Sequence, residues 1–152
     1  MRVLAVDIGT TAGVATLDTR TGALWSQTWQ LARTPKTTWG RRLEVWEQLL
    51  YSLTRPEALV YERVRRHSST QAAHAYGALR GVLLLWAHKR HLRVETVEVA
   101  EWKKAAGLKG NADKGTVAAE LSRRWPGERL GQDEGEARLM ALCFADRETT
   151  NA

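Results

Sequence analysis

The chain has 152 residues, a length that suits one domain over 1–152 with a buried core. Its single cysteine, Cys143, excludes an internal disulfide, and the lack of any apolar stretch of about 18 residues or of an export signal predicts a cytoplasmic protein without a membrane span. The net charge of +6 comes mostly from arginine, which binds phosphate in a planar, bidentate way, so nucleic acid is the expected partner.

The first half of the sequence predicts a three-strand meander, then a helix and another strand. The helix is predicted from apolar residues at spacings of four and three, which form one apolar face: Trp39, Leu43, Trp46, Leu50 and Leu53. Apolar runs before Asp7 and Glu62 predict two buried strands that end at these acids. The expected elements are strands over residues 2–7, 13–17, 23–31 and 58–62 and a helix over 39–53.

The second half alternates helical and strand patterns behind a basic loop. Its expected elements are a loop over residues 63–70, a helix over 72–86, a strand over 93–99, a short helix over 101–106, a helix over 112–125 and a last helix from about 132. Three strands followed by this alternation indicate an α/β fold in which a mixed five-stranded sheet is flanked by helices.

Four carboxylates fall where such a fold would bring them together. Asp7 and Glu62 end two predicted strands. Asp133 and Glu136 lie one helical turn apart, on the same side as the apolar stripe of the last helix, whereas Glu134 points elsewhere. An unpaired buried carboxylate is costly and persists when it is paired or bound to a metal. The set predicts a metal site, although Asp133 alone also fits a helix N-cap and Glu136 a partner of the helix dipole.

Basic residues flank these acids. Lys114 continues the apolar stripe of its helix by one turn, so its ammonium group could reach the same cleft; the alternative is a solvated surface lysine. Two basic clusters beside the acids favour phosphate binding. Their members are Arg63, Arg65 and Arg66 in the loop after the second acid, and Lys103, Lys104 and Lys109 farther along the chain. His67 and His74 have no spacing that supports a zinc site.

Together these motifs resemble the RuvC family of Holliday junction resolvases, which have a ribonuclease H-like fold, over nearly the full length of the chain. The segments that carry the resemblance are Leu4–Gly9 with its strand-Asp-x-Gly start, Val60–Val64, Ala78–Gly81, Lys103–Lys104, Gly110–Lys114 and Gln132–Ala137. The chain has Ile8 where the family usually has proline, Glu136 where it usually has aspartate, and Arg65 near the site of an aromatic wedge. The short chain and these departures are similar to phage-encoded members.

The resemblance implies a homodimer that binds a four-way DNA junction and nicks two strands of like polarity. It implies that Asp7, Glu62, Asp133 and Glu136 hold two Mg²⁺ ions, for which Mn²⁺ could substitute, and that Lys114 completes the catalytic set. The two basic clusters would contact the DNA. We expect the dimer interface on the helix over 72–86, because its apolar residues exceed what one sheet face needs; the alternative is that the monomer buries this helix on all sides.

Two other functions fit part of the sequence. Val6–Gly13 also resembles the first phosphate loop of sugar kinases and related actin-fold ATPases, but those enzymes need two ribonuclease H-like lobes, which 152 residues cannot hold. A non-catalytic junction-binding DNA protein would need only the positive charge, and the presence of all four acids argues against it.

Overall fold

A computed structural model describes all residues, 1–152, and contains one five-stranded sheet with helices on both faces. The strands are β1 (Arg2–Asp7), β2 (Thr11–Asp18), β3 (Leu24–Gln30), β4 (Ala58–Glu62) and β5 (Arg93–Val97). The helices are α1 (Trp39–Ser52), α2 (Thr70–Lys89), α3 (Val99–Ala105), α4 (Lys114–Arg124) and α5 (Gln132–Asn151). None of these helices has the length and apolarity needed to cross a membrane.

The order of strands in the sheet is β3-β2-β1-β4-β5. Strands β1, β2 and β3 pair antiparallel, and β4 and β5 run parallel to β1. The sheet is therefore mixed, as the sequence predicts. Because β1 and β4 are parallel neighbours in register, their last residues, Asp7 and Glu62, lie at the same edge of the sheet.

The central strand β1 is buried on both faces, which explains its unbroken apolar run. Val3 and Ala5 pack into a core with α3, α4 and α5, whereas Leu4 and Val6 pack into a second core with α1 and α2. Full burial of each valine or leucine side chain stabilises the fold by about 1.5–3 kcal/mol. Side chains alternate along a strand, so Asp7 projects to the same face as Val3 and Ala5, toward α5.

Capping residues explain where two helices begin. The expected strand over 93–99 ends at Val97, because Glu98 forms a capping box with Glu101 at the start of α3. The expected helix over 112–125 begins at Lys114, because Asp113 caps α4 by accepting a hydrogen bond from the Thr116 backbone N–H at 2.8 Å. Lys114 is therefore the first residue of its helix rather than the third.

Candidate active site

Three carboxylates converge at the edge of the sheet. Asp7, at the end of β1, meets Asp133 and Glu136 from the first two turns of α5, and one carboxylate oxygen from each lies within 4.8 Å of the others. All three side chains are half-buried. We call them the carboxylate group. Carboxylate oxygens are hard ligands of the kind that Mg²⁺ and Mn²⁺ prefer, so this group suits a divalent cation.

Two glycines allow α5 to pack closely on its neighbours, the sheet and α4. Gly13 of β2 pairs with Asp7, and a Cβ atom at Gly13 would lie 2.0 Å from the backbone oxygen of Asp133. A Cβ atom at Gly135 would lie 2.3 Å from a methyl carbon of Leu121 in α4. Glycine at position 13 is thus required to bring Asp133 next to Asp7, whereas Gly135 allows α5 to pack closely on α4. This role of Gly13 was not predicted from the sequence, although a glycine inside a strand pattern is a known sign of close backbone approach.

Glu62 lies beside the carboxylate group, at the end of the neighbouring strand β4. Its Oε2 accepts a hydrogen bond from the indole Nε1 of Trp102 at 2.8 Å. Trp102 belongs to α3, and its side chain is buried in the core between this helix and the sheet. Burial raises the pKa of Glu62, and the nearby charge of Glu136 adds to this, whereas the hydrogen bond from Trp102 and the charge of Lys103 oppose it. Glu62 is therefore close enough to the carboxylate group for the charge of Glu136 to raise its pKa, and the hydrogen bond from Trp102 holds its side chain in place.

Asp7 carries the largest electrostatic perturbation in the site. Burial, together with the charges of Glu136, Glu62 and Asp133, raises the pKa of Asp7 to about 9. Four acids at one edge of a sheet repel one another, and a bound divalent cation would relieve that repulsion. The residues present thus fit a metal ion in both ligand chemistry and charge.

Neighbouring groups orient Glu136 and Glu134 of α5 differently. Gln132 donates from Nε2 to Oε1 of Glu136 at 3.0 Å and so holds this carboxylate within the group. Glu134 instead accepts hydrogen bonds from the Gly131 backbone N–H at 2.9 Å and from Oγ of Ser26 on β3 at 3.1 Å. Glu134 therefore points away from the other acids, as the helical spacing predicts.

The first basic cluster lies in a groove beside Glu62. Arg63, Arg65 and Arg66 are all exposed, and they line this groove together with Glu98. Arg65 pairs with Glu98 through Nη2 at 2.7 Å and Nε at 3.1 Å. The guanidinium group of Arg65 is thus engaged within the protein, whereas Arg63 and Arg66 form no ion pair.

The lysines of the predicted site differ in their distance from the acids. Lys103 donates from Nζ to the backbone oxygen of Ala112 at 2.7 Å and is close enough to Glu62 to lower its pKa. Lys104 and Lys109 are exposed, and their ammonium groups make no hydrogen bond. Lys114 is also exposed and without a partner at the start of α4, so its catalytic role stays a prediction.

Comparisons with known proteins point to one family. The chain is 31% identical over 120 residues to crossover junction endodeoxyribonuclease RuvC of Zymomonas mobilis, across 76% of this chain and 72% of the relative. No protein-family model matches the sequence.

Solved structures share the fold at lower identity. RuvC of Thermus thermophilus matches with a TM-score of 0.78 at 20% identity, over 99% of this chain and 97% of that chain. The same protein in complex with Holliday junction substrate matches with a TM-score of 0.81 at 20% identity, over 99% and 96% of the two chains. The yeast mitochondrial Holliday junction resolvase Ydc2 matches with a TM-score of 0.66 at 16% identity, over 97% and 79%.

The sequence relative establishes the family, and the structures establish the ribonuclease H-like fold that the sequence motifs predict. The chain therefore belongs to the RuvC family of crossover junction endodeoxyribonucleases.

Proposed function

We propose that this protein is a divalent-metal-dependent endonuclease that resolves four-way DNA junctions by paired, symmetric nicking. The observation that carries the proposal is the carboxylate group of Asp7, Asp133 and Glu136 with Glu62 beside it, at the strand edge where the structure offers convergent oxygen ligands. The Zymomonas relative is a crossover junction endodeoxyribonuclease, and the Thermus relative is described in complex with Holliday junction substrate, which supports the choice of DNA substrate.

Asp7, Glu62, Asp133 and Glu136 would hold the metal, with Mg²⁺ as the expected ion and Mn²⁺ as a substitute. When bound, two such ions supply an activated water and stabilise the leaving oxygen of an in-line phosphodiester displacement. The protein contributes orientation, because Gln132 fixes one oxygen of Glu136 and the Trp102 indole fixes one oxygen of Glu62.

Cations around the site would hold the DNA backbone. Arg63 and Arg66 are exposed and unpaired beside Glu62, so they are available to phosphates. Arg65 would have to exchange Glu98 for a phosphate, whereas Lys104 and Lys109 extend the positive surface. We propose that Lys103 positions the loop before α4, and that the free ammonium group of Lys114 approaches the scissile phosphate when DNA is bound.

Symmetric nicking needs two active sites, and we propose that a homodimer supplies them through the outer face of α2. Gly77, Gly81 and Leu85 follow one another at spacings of four and so share one face of this helix. A Cβ atom at either glycine would meet nothing within 4 Å, and the Leu85 side chain is 53% exposed. The monomer therefore does not bury α2 on all sides, and its outer face is open to close contact with a second copy.

The deciding experiment incubates the protein with a synthetic mobile four-way junction, with and without Mg²⁺ and with and without ATP, and maps the products. We expect symmetric nicks in two strands of like polarity only when Mg²⁺ is present. Binding without nicking would favour the non-catalytic junction-binding protein, and a requirement for ATP would favour the actin-fold phosphotransferase. Asp7→Asn is the matched control, since it should bind the junction and leave it uncut.

A further inference from the structure

A second cleft opens at the same edge of the sheet, on the face covered by α1 and α2. It has a volume of about 720 Å³. The polar and aromatic residues that line this α1–α2 cleft are Thr10, Trp39, Arg42, Ser69, Gln71 and His74. Neither basic cluster predicted from the sequence contributes to it.

Trp39 and Arg42 form a rigid cation–aromatic pair within the α1–α2 cleft. The Arg42 guanidinium carbon lies 4.9 Å from the centre of the Trp39 ring. Arg42 donates from Nε to the backbone oxygen of Thr37 at 3.0 Å and from Nη2 to that of Pro35 at 3.2 Å. These carbonyls fix the guanidinium group without neutralising its charge, and no carboxylate pairs with it. The Trp39 side chain is 39% exposed, so an aromatic surface remains open beside a fixed positive charge.

The segment around this pair is strongly cationic. No acidic residue occurs between Asp18 and Glu44, whereas the short stretch before α1 and its first turn contain Arg33, Lys36, Arg41 and Arg42. Glu44 pairs with Arg41 and leaves the other three cations unmatched. A surface of this kind attracts a polyanion, and a half-exposed indole adds a stacking platform that only a planar ligand can use.

The α1–α2 cleft adjoins the proposed active site through two short chain connections. Thr10 follows Asp7 by three residues, in the turn between β1 and β2. Ser69 caps α2, at the end of the loop that leaves Glu62. The groove of Arg63 and Arg66 adjoins α3, on the opposite face of the sheet. Cationic surfaces thus flank the carboxylate group on both sides. This arrangement suits a DNA strand that passes across the carboxylate group.

We infer that the α1–α2 cleft binds the junction strand next to the scissile phosphate, with a nucleobase stacked on Trp39 and a phosphate bound by Arg42. This inference rests on the proposed function, because it extends the DNA contacts of that same site. Stacking of a base on an aromatic side chain contributes about 1–3 kcal/mol. The base must be unpaired or unstacked to use it, as bases near the crossover of a junction can be.

The test compares junction binding by the wild type, Trp39→Ala, Trp39→Phe and Arg42→Ala in EDTA, where no strand is cut. Matched controls are Tyr51→Ala and Arg90→Ala, because Arg90 lies 5.1 Å from the ring centre of Tyr51 in the same kind of pair at the other end of α1 and α2. We expect Trp39→Ala to raise the Kd by about fivefold or more, with partial rescue by phenylalanine, and the controls to change it by less than about twofold.

A second readout separates stacking from folding. Junctions that carry 2-aminopurine at successive positions around the crossover should show one position where the wild type changes the fluorescence and Trp39→Ala does not. Thermal unfolding checks that each variant is folded; Trp39→Ala decides the question if Arg42→Ala unfolds. If wild type and Trp39→Ala have equal affinity and give equal fluorescence, the inference that the α1–α2 cleft binds DNA is overturned. The proposed nuclease function would then still stand. A wild type that binds no junction would overturn the proposed function and this inference together.

Discussion

The buried indole of Trp102 donates a hydrogen bond from Nε1 to Oε2 of Glu62 at 2.8 Å. An indole N–H is a donor only, so this bond commits Oε2 of Glu62 to the protein, whereas Oε1 accepts no hydrogen bond and is available to a metal ion. Residues that hold a metal-binding carboxylate in place typically change metal affinity or activity by about 10–100-fold when they are removed. Trp102 is thus a positioning residue for the proposed metal site.

Trp102→Phe should therefore raise the Mg²⁺ concentration for half-maximal nicking by about tenfold and leave metal-free junction binding unchanged. The stabilisation of the protein against heat by Ca²⁺ gives a second measurement that does not depend on activity. Trp86→Phe is the control, because the Trp86 indole is equally buried but its Nε1 has no partner. Equal Mg²⁺ dependence for the two variants would show that the Trp102 hydrogen bond does not support metal binding.

The raised pKa of Asp7 predicts how the metal-free protein responds to pH. Its pKa is about 9 in the folded state, against 3.8 as the ordinary value, so between these values the folded protein holds a proton that the unfolded chain has released. The stability contributed by protonated Asp7 is complete below about pH 4 and is lost as the pH rises toward 9. Asp7→Asn mimics the protonated form and should not suffer this loss.

In EDTA, the Tm of Asp7→Asn should match that of the wild type near pH 4 and exceed it increasingly up to pH 9. Mg²⁺ should stabilise the wild type more at high pH, since binding displaces the proton, and should act less on Asp7→Asn. A constant difference in Tm across this range would contradict the assigned pKa. Nicking assays on the same samples should show no cleavage by the variant.

Gly13 is predicted to be essential because α5 lies directly on it. Gly13→Ala would place a Cβ atom 2.0 Å from the Asp133 backbone oxygen, and backbone atoms on both sides cannot move aside easily. We expect a loss of about 3 kcal/mol in the free energy of unfolding, together with loss of nicking. Gly40→Ala, where a Cβ atom meets nothing within 4 Å, should instead be neutral or stabilising by up to about 1 kcal/mol. Urea unfolding of both variants measures the difference.

The sequence predicted the placement of a site residue correctly where that placement depends on the periodicity of its own strand or helix. The buried runs of β1 and β4 predict the strand ends at Asp7 and Glu62, and the helical spacing separates Asp133 and Glu136 from Glu134. Contacts between distant segments were not readable in this way. Which indole would meet Glu62 depends on how α3 packs on the sheet, and no periodicity reports that.

The same limit explains why the α1–α2 cleft was not predicted from the sequence. The apolar spacing of α1 assigns Trp39 to the core, yet its side chain is 39% exposed because it lies at the first residue of the helix, beyond the buried Trp46 and Leu50. The approach of Thr10 to this helix end is a tertiary relationship, since the two are far apart in sequence. Sequence spacing therefore found the acids of the site and missed the surface beside them.

Lys114 offers a test of transition-state stabilisation. Its ammonium group is free at the start of α4, so Lys114→Ala should leave junction affinity nearly unchanged and lower the single-turnover nicking rate by about 100-fold. Lys104→Ala is the control, because Lys104 is also exposed and unpaired and should affect affinity through its charge alone. Normal turnover by the Lys114 variant would assign it to the solvated surface. Lys103, the lysine that acts on Glu62, would then be the next residue to substitute.

The last prediction concerns the outer face of α2. In an isologous dimer the same patch serves both subunits, so a charge introduced into the patch is buried against the partner. Leu85 is 53% exposed on this face, and Leu85→Arg should leave the monomer folded, because the buried residues of α2 lie on the other side. Light scattering at micromolar concentration should give a dimer for the wild type and a monomer for Leu85→Arg. Val94→Arg, at another exposed apolar position on β5, should stay dimeric.

The cleavage products should also depend on the dimer, because a monomer holds one carboxylate group and can cut only one strand at a time. Leu85→Arg should therefore produce singly nicked junctions that accumulate before any second cut, whereas the wild type and Val94→Arg should give two cuts within one binding event. A supercoiled cruciform plasmid distinguishes these outcomes, since uncoupled nicks release a relaxed circle and coupled nicks release a linear product. A wild type that is monomeric yet yields linear product would refute α2 as the element that couples the two cuts.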